Sequence, residues 1–165
     1  MRSPFYFIVE PLEGKRYNNS KDISGVDFIT SSSQENHMAS NREAVVISTP
    51  LNYKGPVTKG DTLLVHHNVF KFYYDMKGRE KSGKSYFKDN LFFVDNEQFF
   101  LYKQNDQWFS HYKYCFVEPI PAEESFLMKN FDEEPLMGKM KYPNAYLESK
   151  GVREGMKVGF KPESE

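Results

Sequence analysis

The chain has little cysteine and no long apolar run, and each shortage narrows the class of protein. One cysteine among 165 residues, Cys115, cannot form a disulfide within the chain, which favours a reducing compartment. No stretch reaches the roughly 18 apolar residues that span a bilayer. The first residues, Met1-Arg2-Ser3-Pro4, lack the apolar region of a signal peptide. The sequence therefore predicts a cytoplasmic protein with no membrane partner.

An excess of charge of one sign is also missing. The 22 lysines and arginines nearly balance the 23 aspartates and glutamates, so the formal net charge is −1. Proteins that bind nucleic acid usually carry a basic patch or a basic overall charge. We therefore expect no nucleic-acid partner.

Aromatic residues, in contrast, are abundant. They make up 16% of the chain, with 15 phenylalanines and 11 tyrosines. Aromatic and β-branched residues fit the pleated surface of a sheet, whereas the helix formers alanine and leucine are sparse here. The composition predicts an all-β, or mainly β, fold.

Short apolar runs separated by turn residues support the same fold class. The runs that predict strands are residues 5–9, 44–47, 62–66, 69–74, 86–94 and 99–102. Strands of this length and spacing are typical of a small sandwich or barrel. Residues 17–42 differ, because they form a long polar stretch with one apolar island at Val26–Ile29. A loop of this length inside a compact domain is usually functional or disordered.

The second half of the chain restarts the pattern of the first. Residues 8–12 (Ile-Val-Glu-Pro-Leu) return as residues 116–120 (Phe-Val-Glu-Pro-Ile), an offset of 108. Residues 57–65 return as residues 152–160, an offset of 95, with Gly60 and Gly155 at matching turns. Coincidence between short apolar runs is the alternative. The order of the segments favours a domain at residues 1–104 and a partial second copy at residues 105–165 that lacks the long loop.

These segments resemble the GroES-type co-chaperonins. The resemblance rests on the strand that ends in Glu10-Pro11-Leu12, the long segment after it, the strand at residues 44–47 and the pattern Val57-x-x-Gly60-Asp61-x-Leu63-Leu64-Val65. Residues 91–101, two strands around a short acidic turn, belong to it too. It covers residues 5–102 well and residues 114–160 in part. The divergence and the duplication favour a viral relative, which would act in the host cytoplasm.

The resemblance implies a fold, a function and a set of partners. The fold is a GroES-like partly open β-barrel, followed here by a second, partial repeat. Such barrels form a homo-oligomeric ring, commonly of seven subunits, that caps a GroEL-like chaperonin ring and encloses an unfolded client protein. A mobile loop, at about residues 17–42 here, docks on the chaperonin through a short apolar segment. The matching residues are Gly25, Val26, Phe28 and Ile29.

Two alternatives remain open at this point. Val26–Ile29 is also compatible with a small strand that covers the end of the barrel core. The whole protein is also compatible with a structural or assembly role, as a component of a virion or ring that reuses the same barrel. Either way we expect a binding protein rather than an enzyme, with no catalytic residues, no cofactor and no metal.

One motif points towards an enzyme, and its context argues against it. Residues 78–85 (Gly-Arg-Glu-Lys-Ser-Gly-Lys-Ser) satisfy the phosphate-binding pattern G-x-x-x-x-G-K-[ST]. That chemistry needs a helix to begin at the lysine, whereas the residues that follow predict a strand. We therefore interpret the segment as a polar hairpin. His66 and His67 are predicted on a strand, with side chains on opposite faces, and do not suggest a metal site.

Overall fold

The computed structural model describes residues 1–18, 20–23, 26–29, 39–121 and 133–161, with the backbone alone at 20–23, 26–29 and 133–135. The chain divides into two compact units, Met1–Gln107 and Trp108–Glu165. The structure is mainly β, with antiparallel sheets, as the composition predicts. None of the helices among the described residues has the length and apolar character needed to cross a membrane.

The strands of the first unit are short. In chain order they are β1 (Phe7–Pro11), β2 (Ser20–Ile23), β3 (Val26–Ile29), β4 (Glu43–Ser48), β5 (Thr62–Val65), β6 (Phe72–Tyr74), β7 (Glu80–Ser82), β8 (Tyr86–Lys88), β9 (Leu91–Val94) and β10 (Phe99–Gln104). A single 3-10 turn, Leu12–Gly14, follows β1. Strand β11 (Gln107–Ser110) begins at the last residue of this unit.

Seven of these strands form one sheet, in the order β11-β10-β5-β4-β1-β9-β8. Among the described residues this order does not close on itself. Strands β2 and β3 form a separate two-stranded sheet, and β6 and β7 form another. The long segment between β1 and β4 therefore connects two strands that are neighbours in the main sheet.

Alternating burial explains why these residues form strands. In β4, β5 and β9, buried and partly buried side chains alternate, as expected for strands with one face on the core. β1, an interior strand of the sheet between β4 and β9, is buried at four of five positions. The core residues of the first unit are Phe7, Val9, Ala44, Val46, Val57, Leu63, Val65, Val69, Phe70, Phe92, Val94 and Phe99.

The first strand begins two residues later than residues 5–9 predict. The Ser3 hydroxyl accepts hydrogen bonds from the backbone N–H groups of Phe5 and Tyr6, at 3.4 and 3.2 Å. These bonds fold residues 3–6 into a bend, and Phe5 remains 78% exposed. An unbroken apolar run therefore did not fix the start of the strand.

The second unit has its own three-stranded antiparallel sheet. Its strands are β12 (Phe116–Pro121), β13 (Glu133–Tyr142) and β14 (Lys157–Gly159), in the order β12-β13-β14. A short helix, α1 (Ala145–Ser149), connects β13 to β14. The Asn144 side chain caps this helix by accepting a hydrogen bond of 2.9 Å from the Leu147 N–H. The sequence analysis missed α1, although an asparagine before the helix and Gly151 after it are typical signals.

The turn before β5 needs a glycine. Gly60 has φ +95°, in the left-handed region, and its N–H donates to the Val46 carbonyl at 2.8 Å. The Asp61 carboxylate closes the turn by accepting hydrogen bonds from the Thr58 N–H and hydroxyl, at 2.7 and 3.2 Å. This arrangement holds the start of β5 against β4.

Replacing Gly60 tests this turn. No atom lies within 4 Å of the position that a Cβ would take, so Gly60→Ala meets no steric clash and its cost comes from the backbone conformation. We expect a loss of about 1–2 kcal/mol in the free energy of unfolding, measured by urea denaturation. Asparagine tolerates this region better, so Gly60→Asn should lose less. Equal stability of Gly60→Ala and the unchanged protein would contradict this account.

Candidate docking segment and its root

The candidate docking residues fall in the segment between β1 and β4. Val26, Phe28 and Ile29 lie in β3, which pairs with β2 so that Phe28 is opposite Lys21 and Ile29 is opposite Ser20. Gly25 lies outside the described residues. The predicted loop thus contains a two-stranded hairpin at its start. A two-stranded hairpin by itself is marginally stable in water, so contact with a partner would stabilise it.

The two ends of the segment are held together, and we call this region (residues 16–18 and 39–41) the root. The Asn18 N–H donates to the Ala39 carbonyl at 2.7 Å, and the Asn41 N–H donates to the Arg16 carbonyl at 3.0 Å. Between them Tyr17 and Ser40 form an antiparallel bridge. The residues between 18 and 39 therefore leave and re-enter the fold at one place.

Asn41 fixes the root to the chain that follows β1. Its side chain is 5% exposed and donates to the carbonyls of Leu12 and Lys15, at 3.1 and 2.8 Å. Its amide oxygen accepts from the Glu43 N–H at 3.0 Å, at the start of β4. Each donated bond satisfies a carbonyl in a tight turn, so Asn41 sets the geometry of the root.

Arg16 ties the root to the hairpin β6–β7. Its guanidinium donates to the carbonyls of Phe70 and Lys71, at 2.9 and 3.1 Å, and to the Ser82 hydroxyl at 3.2 Å. It also lies 3.6 Å from the Glu80 carboxylate. These contacts join residues that are far apart in sequence, so one side chain connects the root to the hairpin β6–β7 and its flank.

The guanidinium of Arg16 is largely enclosed. Its side chain is 16% exposed, and its central carbon lies 4.8 Å from the ring centre of Phe72 and 5.1 Å from that of Phe92. Burial lowers the pKa of Arg16, and the nearby Glu80 carboxylate opposes that shift. Because an arginine stays protonated at any physiological pH, the Arg16 guanidinium places a permanent positive charge within the fold.

The segment with the phosphate-binding pattern does not have the backbone that binding requires. Glu80–Ser82 form strand β7, which pairs with β6, and the chain enters strand β8 at Tyr86. A phosphate-binding loop would instead lead into a helix at this point. The structure therefore agrees with the interpretation of residues 78–85 as part of a hairpin.

One prediction about possible reactive residues needs correction. The prediction that His66 and His67 lie on a strand is wrong: β5 ends at Val65, and the two imidazole rings lie together with centres 4.1 Å apart. Among the described residues no group of three or more metal-ligating side chains is found. Cys115 is exposed, and partial desolvation raises the pKa of its thiol, which keeps it protonated at neutral pH.

The candidate docking residues stand out in the sequence, whereas the residues of the root do not. Arg16 and Asn41 belong to the polar stretch, where no periodicity marks them. Their partners lie as many as 66 residues away, so no local pattern identifies them.

Comparisons of the chain with models of protein families, with curated proteins and with solved structures find no match.

Proposed function

We propose that this chain is a co-chaperonin of the GroES type, which forms a ring and caps a chaperonin through the segment between β1 and β4. The observation that carries the proposal is the root. A segment that binds a large partner can hold the whole domain only if its ends are fixed to that domain. Here both ends are hydrogen-bonded to each other, to the chain after β1 and to the chain before the hairpin β6–β7.

The placement of Val26, Phe28 and Ile29 suits docking by a short apolar strand. A segment that gains order on binding loses conformational entropy, so each single contact is weak. A ring of identical chains presents several such segments at once and gains avidity. A weak docking segment would therefore bind the chaperonin tightly only when several copies are presented together by the proposed ring.

The pairing within the second unit supports a partial second copy. In the first unit Val9 is opposite Val46 and Pro11 is opposite Ala44; in the second unit Val117 is opposite Met140 and Pro119 is opposite Gly138. The offsets are 108 for the first strand of each pair and 94 for the second. Both pairs carry an irregularity at the same step, Ile8/Val9 and Phe116/Val117.

The glycine turns match in the same way. Gly155 has φ +83°, and its N–H donates to the Met140 carbonyl at 2.7 Å, as Gly60 does to Val46. Val158 is opposite Gly138, as Leu63 is opposite Ala44. Fourteen fewer residues separate the first two strands in the second unit, as the offsets of 108 and 94 require. This supports the view that the long segment was added to, or lost from, a common three-stranded scaffold.

Binding to a chaperonin ring tests the proposal. Purified protein is titrated onto an immobilised GroEL-type chaperonin in the presence of ATP, of ADP and of no nucleotide. We expect nucleotide-dependent binding that Phe28→Ser or Ile29→Ser weakens by about tenfold, because each removes an apolar anchor. The matched control is Phe5→Ser, the same change at a phenylalanine that is 78% exposed and outside the segment.

The outcomes separate the proposal from its alternatives. Light scattering of the same samples should give a particle of several 19.4 kDa chains. A monomer that binds chaperonin in no nucleotide state would overturn the proposal. An equal loss with Phe5→Ser and Phe28→Ser would show that the docking residues have been misassigned.

A further inference from the structure

The hairpin β6–β7 and its flanks concentrate positive charge. Residues 71–84, which we call the basic hairpin, contain five cationic side chains and two acidic ones, a net charge of +3. The whole chain carries −1, so the remainder carries −4. The charge of the chain is therefore unevenly distributed, although its total is close to zero.

Both acidic side chains of the basic hairpin already have partners within the fold. The Asp75 carboxylate accepts hydrogen bonds from the N–H groups of Lys77 and Arg79, at 2.8 and 2.9 Å, and lies 3.6 Å from the Arg79 guanidinium. The Glu80 carboxylate faces Arg16. Neither acid is left to neutralise the lysines.

The lysines of the basic hairpin have no such partners. Among the described residues no carboxylate lies within ion-pair distance of Lys71, Lys77, Lys81 or Lys84. All four residues are exposed. Four like charges on one short hairpin repel one another, and a partner that supplies negative charge relieves that repulsion.

The register of the hairpin separates an inner face from an outer face. Phe72 is 8% exposed, and its ring packs edge-on against Tyr17 with centres 5.1 Å apart, so its side faces the fold. Tyr73, next along the strand, is 46% exposed and lies opposite Lys81. Because residues directly opposite each other in an antiparallel pair share one face, Lys81 and Tyr73 share the outer face. An exposed aromatic ring thus lies beside a lysine that has no ion-pair partner among the described residues.

The end of the basic hairpin adds apolar surface. Met76, in the turn, is fully exposed, and Tyr74 is 53% exposed. Methionine adapts to irregular surfaces, and tyrosine offers a ring and a hydroxyl at low entropic cost. Together with the lysines they form a surface suited to a polypeptide that carries both carboxylates and apolar side chains.

We propose that the basic hairpin binds a carboxylate-rich segment of a partner protein. A nucleic acid is the other polyanion to consider, but sequence-independent binding of single strands uses aromatic rings on which successive bases stack, whereas the exposed Tyr73 and Tyr74 are neighbours on β6 and point to opposite faces of it. A long polyanion would also meet the negative remainder of the chain, whereas a short acidic segment contacts the hairpin alone. This site is separate from the docking segment, so it goes beyond the proposed function.

Fluorescence anisotropy tests the proposal directly. A labelled poly-glutamate peptide is titrated with the full chain, and a poly-glutamine peptide of equal length serves as the uncharged probe. We expect binding of the glutamate peptide only, weakening as salt rises. Lys71→Gln and Lys81→Gln should each lower the affinity about two- to fivefold, and Tyr73→Ser by a similar factor.

A matched charge deletion elsewhere serves as the control. Lys59→Gln removes one exposed lysine outside the basic hairpin and should leave the affinity unchanged. The proposal is overturned if Lys59→Gln weakens binding as much as Lys81→Gln does, if the two peptides bind equally, or if neither binds at low salt. Tighter binding of an oligo-dT of equal charge would overturn it in favour of a nucleic-acid site. Circular dichroism verifies that each variant is folded.

Discussion

Replacing Phe92 with alanine should lower the free energy of unfolding of the first unit by about 3–5 kcal/mol. Phe92 is fully buried in β9 and belongs to the core of the first unit. Its ring packs edge-on against Phe70, with centres 4.9 Å apart, and edge-on against Tyr86 at 5.7 Å. The substitution removes these contacts, and the rigid sheet cannot collapse to fill the space. Urea denaturation followed by circular dichroism measures the loss.

The same deletion at an exposed phenylalanine provides the control for Phe92→Ala. Phe5→Ala should change the free energy of unfolding by less than about 0.5 kcal/mol, since its ring is 78% exposed. A similar loss in both variants would mean that the core of the unit has been assigned to the wrong residues. Hydrogen exchange in Phe92→Ala should be faster in β1 and β9, which pair with each other.

Short apolar runs between turn residues predicted two strands of the core. Residues 44–47 and 62–66 correspond closely to Glu43–Ser48 and Thr62–Val65, because apolar and β-branched residues in runs of this length favour strands. The ends of elements were less predictable. Side-chain hydrogen bonds such as those of Ser3 and Asn144 decide where a strand or helix begins, and they depend on single residues rather than on a period.

The pattern of apolar runs also did not predict the short polar strands. Strand β7 (Glu-Lys-Ser) has no apolar residue, and it forms because β6 pairs with it and Arg16 binds Ser82 and Glu80 from the inner side. β2 and β3 lie within a stretch whose composition predicts a loop. Such elements are set by tertiary contacts, which outweigh local propensity.

The docking role of the candidate residues stays a prediction from the sequence, whereas the root is visible only in the fold. An apolar island in a polar stretch pointed to Val26–Ile29 without any structure. The root, in contrast, depends on Arg16 and on three acceptors 54, 55 and 66 residues away. A long-range contact of this kind leaves no trace in a single sequence, so only the fold shows that the segment is anchored.

Replacing Arg16 with methionine should therefore cost about 2–3 kcal/mol of stability, because it leaves two partly buried acceptors, the Phe70 carbonyl and the Ser82 hydroxyl, without a charged donor. Methionine reaches only to the position of the arginine Nε, so the hydrogen bonds and the stacking of the guanidinium on Phe72 and Phe92 are lost together. Arg16→Lys should recover little, since an ammonium group cannot reproduce the planar arrangement of donors. Urea denaturation of the three proteins measures the order of stability.

The matched control is Arg2→Met, the same change at an exposed arginine whose hydrogen bonds are long, at 3.3–3.4 Å. It should cost less than about 0.5 kcal/mol.

Arg16→Met should also weaken chaperonin binding about two- to fivefold although every candidate docking residue is intact, because a less ordered root leaves the segment with more conformational entropy to lose on binding. Unchanged binding alongside reduced stability would show that Arg16 supports the fold alone, and that docking depends on the segment without its anchor.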